Sequence, residues 1–213
     1  FLGELNVTFD DSGNVTAATG EPIAMNADVA EDAATKARIS EAAAPLEEIR
    51  QLVVANSAAL IEGDRAVCRV QECAIGNLVA DAMLARVKDQ GISISIANSG
   101  GLRSSIDAGD VTMGEVLTVL PFQNTLSTFQ VNGETIIAAL ENGVSQVEEV
   151  KGRFPQVAGL KFTWDATVAP NEGRVSDVQV MSNGAWVAID PAATYGVVSN
   201  NYVRGGGDGY KMF

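Results

Sequence analysis

Residues 92–103 read Ile92-Ser93-Ile94-Ser95-Ile96-Ala97-Asn98-Ser99-Gly100-Gly101-Leu102-Arg103. The first five alternate strictly, with a β-branched residue at every apolar position, which is the grammar of a strand. The strand runs straight into paired glycines, which let backbone amides approach a ligand closely, and Arg103 offers a planar fork for phosphate or carboxylate. Upstream, residues 76–88 place Ile75, Leu78, Val79 and Ala82 on one helical face and stop at Gly91, a C-terminal cap. Downstream, Thr112-Met-Gly-Glu115 has capping-box spacing and opens a short helix through Leu120, which Pro121 ends. Residues 126–131 read as another strand, and Asn132-Gly133 turns into an amphipathic helix through about Gln146. In the last third, residues 157–164, 175–181, 186–189 and 195–199 read as strands separated by Asn, Gly and Pro turns. The pattern predicts an α+β fold, mixed sheets with packed helices.

The opening part differs. Residues 2–15 alternate at Leu5, Val7 and Phe9 and turn at 11–14, which is hairpin grammar without the rest of a sheet. Residues 28–55 are rich in Ala and Glu, with Ile39, Ala43, Leu46, Ile49 and Val53 at spacings of three and four. They predict a long linker helix, bent or restarted near Pro45. The chain begins Phe1-Leu-Gly-Glu, without an initiator Met or a signal core, and reads as the middle of a longer polypeptide.

Composition removes many chemistries. The 213 residues include no His, so Ser-His and Cys-His pairs, His-based zinc sites and mixed His-carboxylate metal centres are excluded within them. A formal charge of -13 opposes non-specific binding to nucleic acid or to an anionic membrane surface. No apolar run approaches the ~20 residues that cross a bilayer. Residues 1–66 hold four basic and twelve acidic residues, so -8 of the charge lies there. The two thiols of Cys68-Arg-Val-Gln-Glu-Cys73 are too few for a structural zinc site. They read as a local disulfide, implying an oxidising compartment, with buried free thiols the alternative.

Besides the glycine exit at Asn98 to Arg103, three segments stand out. In Leu120-Pro-Phe122-Gln-Asn124, Pro stiffens the approach to an aromatic, although Phe122 alone reads as ordinary core. In Ser199-Asn-Asn-Tyr202-Val-Arg204-Gly-Gly-Gly-Asp208-Gly-Tyr210, three glycines followed by Asp-Gly cannot be a regular helix or strand, and the flanking aromatics mark a binding loop. Arg69 lies inside the cysteine loop, where a disulfide ring would hold it in a defined pose, or where it simply pairs with a carboxylate.

Together these segments resemble the C-terminal domain of the 5'-nucleotidase family. The resemblance rests on Glu72-Cys-Ala-Ile-Gly-Asn-Leu-Val-Ala-Asp-Ala-Met83, Asn98-Ser-Gly-Gly-Leu-Arg103, Val119-Leu-Pro-Phe122 and Gly206-Gly-Asp-Gly209, in the family's order and rough spacing. It implies that residues 1–27 are terminal strands of a metallophosphatase domain lying upstream, 28–60 a linker helix and hinge, and 61–213 the substrate-binding domain. It implies a nucleotide or nucleoside ligand, two divalent metal ions in that N-terminal domain and none in this chain, and a periplasmic or extracellular setting. Phe122 and Tyr202 would sandwich the base, Tyr202 standing where relatives often carry Phe. Asn98 would take the base edge, Asp208 the ribose hydroxyls, and Arg69 and Arg103 the phosphate, with Gly100 and Gly101 beside them. Cys68 and Cys73 match a disulfide of some relatives, and Arg204 receives no role. Cyclic nucleotides, UDP-sugars or sulfur compounds are alternative substrates, the last needing no aromatic pair. A non-catalytic binding module is the alternative from another class.

Overall fold

A computed structural model describes all 213 residues. The chain divides into two compact units, Phe1–Glu48 and Ile49–Phe213. In the first, β1 (Leu2–Gly3), β2 (Asn6–Phe9), β3 (Val15–Thr19) and β4 (Pro22–Ile23) form two antiparallel pairs, β1 with β4 and β2 with β3. The expected hairpin turn closes on Asp10, whose Oδ1 accepts from the backbone N–H of Ser12 at 2.9 Å and of Asn14 at 2.8 Å. Helix α1 (Ala33–Arg50) begins where Asp32 accepts from Thr35 N at 2.8 Å. It is shorter at both ends than the expected 28–55 and runs through Pro45 without a restart. No residue of 1–48 is buried.

The second unit continues with β5 (Val53–Ser57), α2 (Arg65–Cys68), α3 (Ala74–Arg86), β6 (Ile94–Asn98), β7 (Gly109–Thr112) and α4 (Met113–Val119). Then come β8 (Leu126–Asn132), α5 (Gly133–Val144), β9 (Pro155–Ala158), β10 (Leu160–Trp164), β11 (Val175–Ser182), β12 (Ala185–Ala188), β13 (Thr194–Asn200) and α6 (Asn201–Arg204). Val53, counted above on a helical face, lies in a strand instead. The β-branched pair Val53-Val54 enters β5, which pairs antiparallel with β7, Val53 opposite Thr112. The single strand expected over 157–164 is two strands, broken at Gly159, whose φ of 68° favours glycine.

The central sheet has the order β8-β13-β6-β9, with β13 and β6 parallel and both outer pairs antiparallel. A three-stranded antiparallel sheet, β10-β11-β12, stands beside it. Helices α3 and α5 cover opposite faces of the central sheet. A Cβ on Gly76 of α3 would strike the Gln156 side chain, and one on Gly143 of α5 would strike Pro155. Neighbouring strand residues point to opposite faces. The alternating strand is thus covered on both faces. Ile94 and Ile96 pack with Ile136, Ala139 and Leu140 of α5, yet Ser95 on the other face is also fully buried, because α3 lies over it. The helix is turned in part from the expected face: Ile75 is buried and Val79 half-buried as expected, but Gly76 and Ala80 are buried too, while Leu78 is 48% exposed and Ala82 is exposed.

Helix α4 carries the full capping box, Thr112 Oγ1 accepting from Glu115 N and the Glu115 carboxylate accepting from Thr112 N. Asn132 is an N-cap, accepting from Thr135 N at 2.9 Å, and Asn132-Gly133 is the expected strand-to-helix turn.

Candidate functional site

The end of β6 and its glycine turn form one wall of a cleft of about 480 Å³. All eight residues singled out above line it: Arg69, Asn98, Gly100, Gly101, Arg103, Phe122, Tyr202 and Asp208. Asn124 and Gly152 complete it, and neither was in that set, although Asn124 closes the Leu120 to Asn124 segment.

Arg69 is held by the short loop that Cys68 and Cys73 close as a disulfide. Buried Gln156 fastens that loop to the central sheet: Nε2 donates to Cys68 O at 2.9 Å and to Gln71 O at 2.8 Å, while Oε1 accepts from Cys73 N at 3.2 Å. Nothing local in the sequence marks Gln156, because its partners lie more than 80 positions away. Arg69 donates to Val150 O at 3.2 Å, but its buried Nε has no partner. Burial, then Arg65 and Arg103, lower the pKa of its guanidinium, and Asp208 partly opposes them. Neither Arg69 nor Arg103 forms an ion pair, so simple charge pairing does not account for Arg69.

Arg103 stacks over Phe122 at 5.4 Å. Phe122 is 54% exposed and Tyr202 48%, so Phe122 is a cleft wall and not core. The glycines of the β6 exit have different reasons. Gly100 donates to Gly152 O at 2.7 Å, and a Cβ on Gly152 would lie 2.7 Å from the Gly100 Cα, so this is a crossing of two backbones. Its amide is therefore already engaged. At Gly101 a Cβ would meet only Asn98 Oδ1, at 3.5 Å.

Asp208 adopts φ 51° in the glycine loop and is held on every side. Its Oδ2 accepts from Asn98 Nδ2 at 2.7 Å and its Oδ1 from the Tyr202 hydroxyl at 3.1 Å. Its N–H donates to that hydroxyl at 3.2 Å, and its carbonyl accepts from Asn142 Nδ2 at 3.1 Å. The Tyr202 ring lies on Gly207, where a Cβ would stand 2.5 Å from Cζ. Burial, then Asp208, push the Tyr202 phenol above its ordinary pKa. Arg204 points elsewhere, donating to Phe213 O and stacking over Phe129 at 4.9 Å, which anchors the C-terminus.

A second groove of about 450 Å³ runs between α3 and β10, past Glu72, Asp81, Trp164 and Trp186. Its cation is Lys161, already placed over Trp186 at 4.9 Å, so it lacks the free guanidinium groups of the first cleft.

A family model described as "5'-nucleotidase, C-terminal domain" matches residues 53–213. The chain belongs to the 5'-nucleotidase C-terminal domain family. Over 217 residues it is 40% identical to the trifunctional nucleotide phosphoesterase YfkN of Bacillus subtilis, covering 100% of this chain and 15% of that protein. Snake venom 5'-nucleotidase of Naja atra is 35% identical, with 100% of this chain and 43% of that protein covered. The crystal structure of the 5'-nucleotidase precursor from Thermus thermophilus superposes with a TM-score of 0.81 at 41% identity, over 99% of this chain and 41% of that one. This family member thus spans less than half the length of these relatives.

Proposed function

We propose that this chain is the nucleotide-binding part of a longer metal-dependent hydrolase that removes phosphate from nucleoside 5'-monophosphates, and that alone it binds without turning over. One observation carries the reading: a single cleft joins two guanidinium groups that have no ion-pair partner to two half-exposed aromatic rings and a carboxylate. A nucleotide presents the complementary chemistry, an anion, an aromatic face and vicinal hydroxyls. Phe122 and Tyr202 hold the base, each stacking contact contributing about 1–3 kcal/mol. With Arg103 over one face of Phe122, the base takes the other. Asn98 keeps one N–H free for the base edge, Asp208 accepts from the ribose hydroxyls, and Arg69 and Arg103 bind the phosphate beside Gly100 and Gly101.

Relatives that carry the name 5'-nucleotidase support this reaction. No group of three carboxylate or thiol side chains comes together in this chain, so its residues do not fit a metal centre. The two divalent ions that the reading requires belong to an upstream metallophosphatase domain. On this reading residues 1–27 are the last strands of that domain, 28–60 a linker helix and hinge, and 61–213 the substrate domain. The Cys68–Cys73 bond supports a periplasmic or extracellular setting.

Calorimetry with adenosine and AMP tests the assignment. The chain is expected to bind both weakly, and Phe122→Ala or Tyr202→Ala to abolish the heat of binding. Equal binding by wild type and both variants would overturn the stacking role.

A further inference from the structure

We infer that Asn200 is a positioning residue of this cleft: it fixes the orientation of the Asn98 amide, and through it the Asp208 carboxylate, from the cap of the helix that carries Tyr202. Asn200 ends β13 and caps α6, its Oδ1 accepting from Val203 N at 2.9 Å. Its Nδ2 donates to Asn98 Oδ1 at 2.9 Å, and Asn98 Nδ2 donates to Asp208 Oδ2 at 2.7 Å.

Both ends of this relay have a single chemical role. A backbone N–H can only donate, which turns Asn200 Oδ1 toward Val203. An ionised carboxylate can only accept, which turns Asn98 Nδ2 toward Asp208. The contact between the two amides then joins the remaining donor to the remaining acceptor. Flipping either amide would break two of the three bonds, so one arrangement is selected. The other oxygen of Asp208 is held from the same helix by the Tyr202 hydroxyl. Asp208 sits in the left-handed region, a conformation that persists only where its surroundings over-determine it. Asn200 therefore sets two sides of this corner at once, the aromatic wall through the cap and the carboxylate through Asn98.

The ligand in this inference rests on the nucleotide-binding reading; the relay does not. Asn200→Asp and Asn200→Ser both retain a capping oxygen for α6, and both remove the amide donor. In the 213-residue chain each is expected to weaken adenosine binding about five- to tenfold by calorimetry. The melting temperature is expected to fall by about 2–4 °C, the cost of one lost hydrogen bond with the cap kept. NMR of the Asn98 side-chain amide is expected to show one exchange-protected proton in wild type, the one donated to Asp208, and loss of that protection in the Ser variant. A protected Asn98 amide in the Ser variant, or an unchanged adenosine affinity in both variants, would overturn the inference. If wild type binds no nucleoside, the ligand reading fails by itself, and the Asn98 signals alone decide whether Asn200 holds it.

Discussion

At the scale of single residues, the two tyrosines of the glycine loop behave differently from surface phenols. Tyr210 is fully buried and donates to Arg153 O at 2.7 Å, and its burial, then Asp208, push its phenol far above the ordinary value. Tyr202 is raised in the same direction. A pKa raised on folding favours the protonated form in the native state. That stability is complete below the unfolded value near pH ~10 and is lost as pH rises toward the folded values. Urea unfolding at stepped alkaline pH should therefore show stability falling above pH ~10. Tyr210→Phe should cost about 1–2 kcal/mol at neutral pH, through the unpaired Arg153 carbonyl, and should flatten the alkaline fall. A fall as steep as that of wild type would show that Tyr210 is not the group responsible. Tyr210 was legible only as an aromatic at the edge of a glycine loop, since its carbonyl partner lies 57 residues upstream.

At the scale of elements, Arg174 ties the end of α5 to the start of β11. Its guanidinium is 3% exposed and donates to Val144 O, Val168 O and both Glu148 oxygens, the shortest of these bonds 2.6 Å. The hydrogen bonds from Arg174 are the first cause holding the Glu148 carboxyl below its ordinary pKa. Arg174→Ala is expected to lower stability by about 2–3 kcal/mol in urea unfolding, because two carbonyls lose their donor. It should also return the Glu148 carboxyl toward its usual value by NMR titration. The capping box of α4 was legible because Thr112 and Glu115 stand three residues apart and satisfy each other within one turn. The buried face of α3 was not. Leu78 and Ala82 fit the apolar stripe, but the close approach of Gln156 to Gly76 decides which side meets the sheet.

At the scale of the whole molecule, every buried residue belongs to the second unit, and residues 1–48 bury none. A chain beginning at Ile49 is therefore expected to melt cooperatively, within about 5 °C of the full chain by circular dichroism. Loss of the cooperative transition would show that the first unit supports the core. The sequence by itself determined the α+β class, the strand into Asn98, the capping box of α4 and the residue types of the proposed binding cleft. These are legible because they rest on short spacings and on motifs that stand in family order. Only the tertiary structure decided which residues are buried and how the cleft is held. Ser95 is buried because α3 covers it, and Gly100 reads as open to a ligand until Gly152 occupies its amide. Asn98 meets Asp208 across 110 residues and Asn200 across 102, contacts that no local spacing encodes. The physical reason is that hydrogen-bond partners and helix faces are chosen by whichever segment packs nearest, and that choice is made between segments distant along the chain.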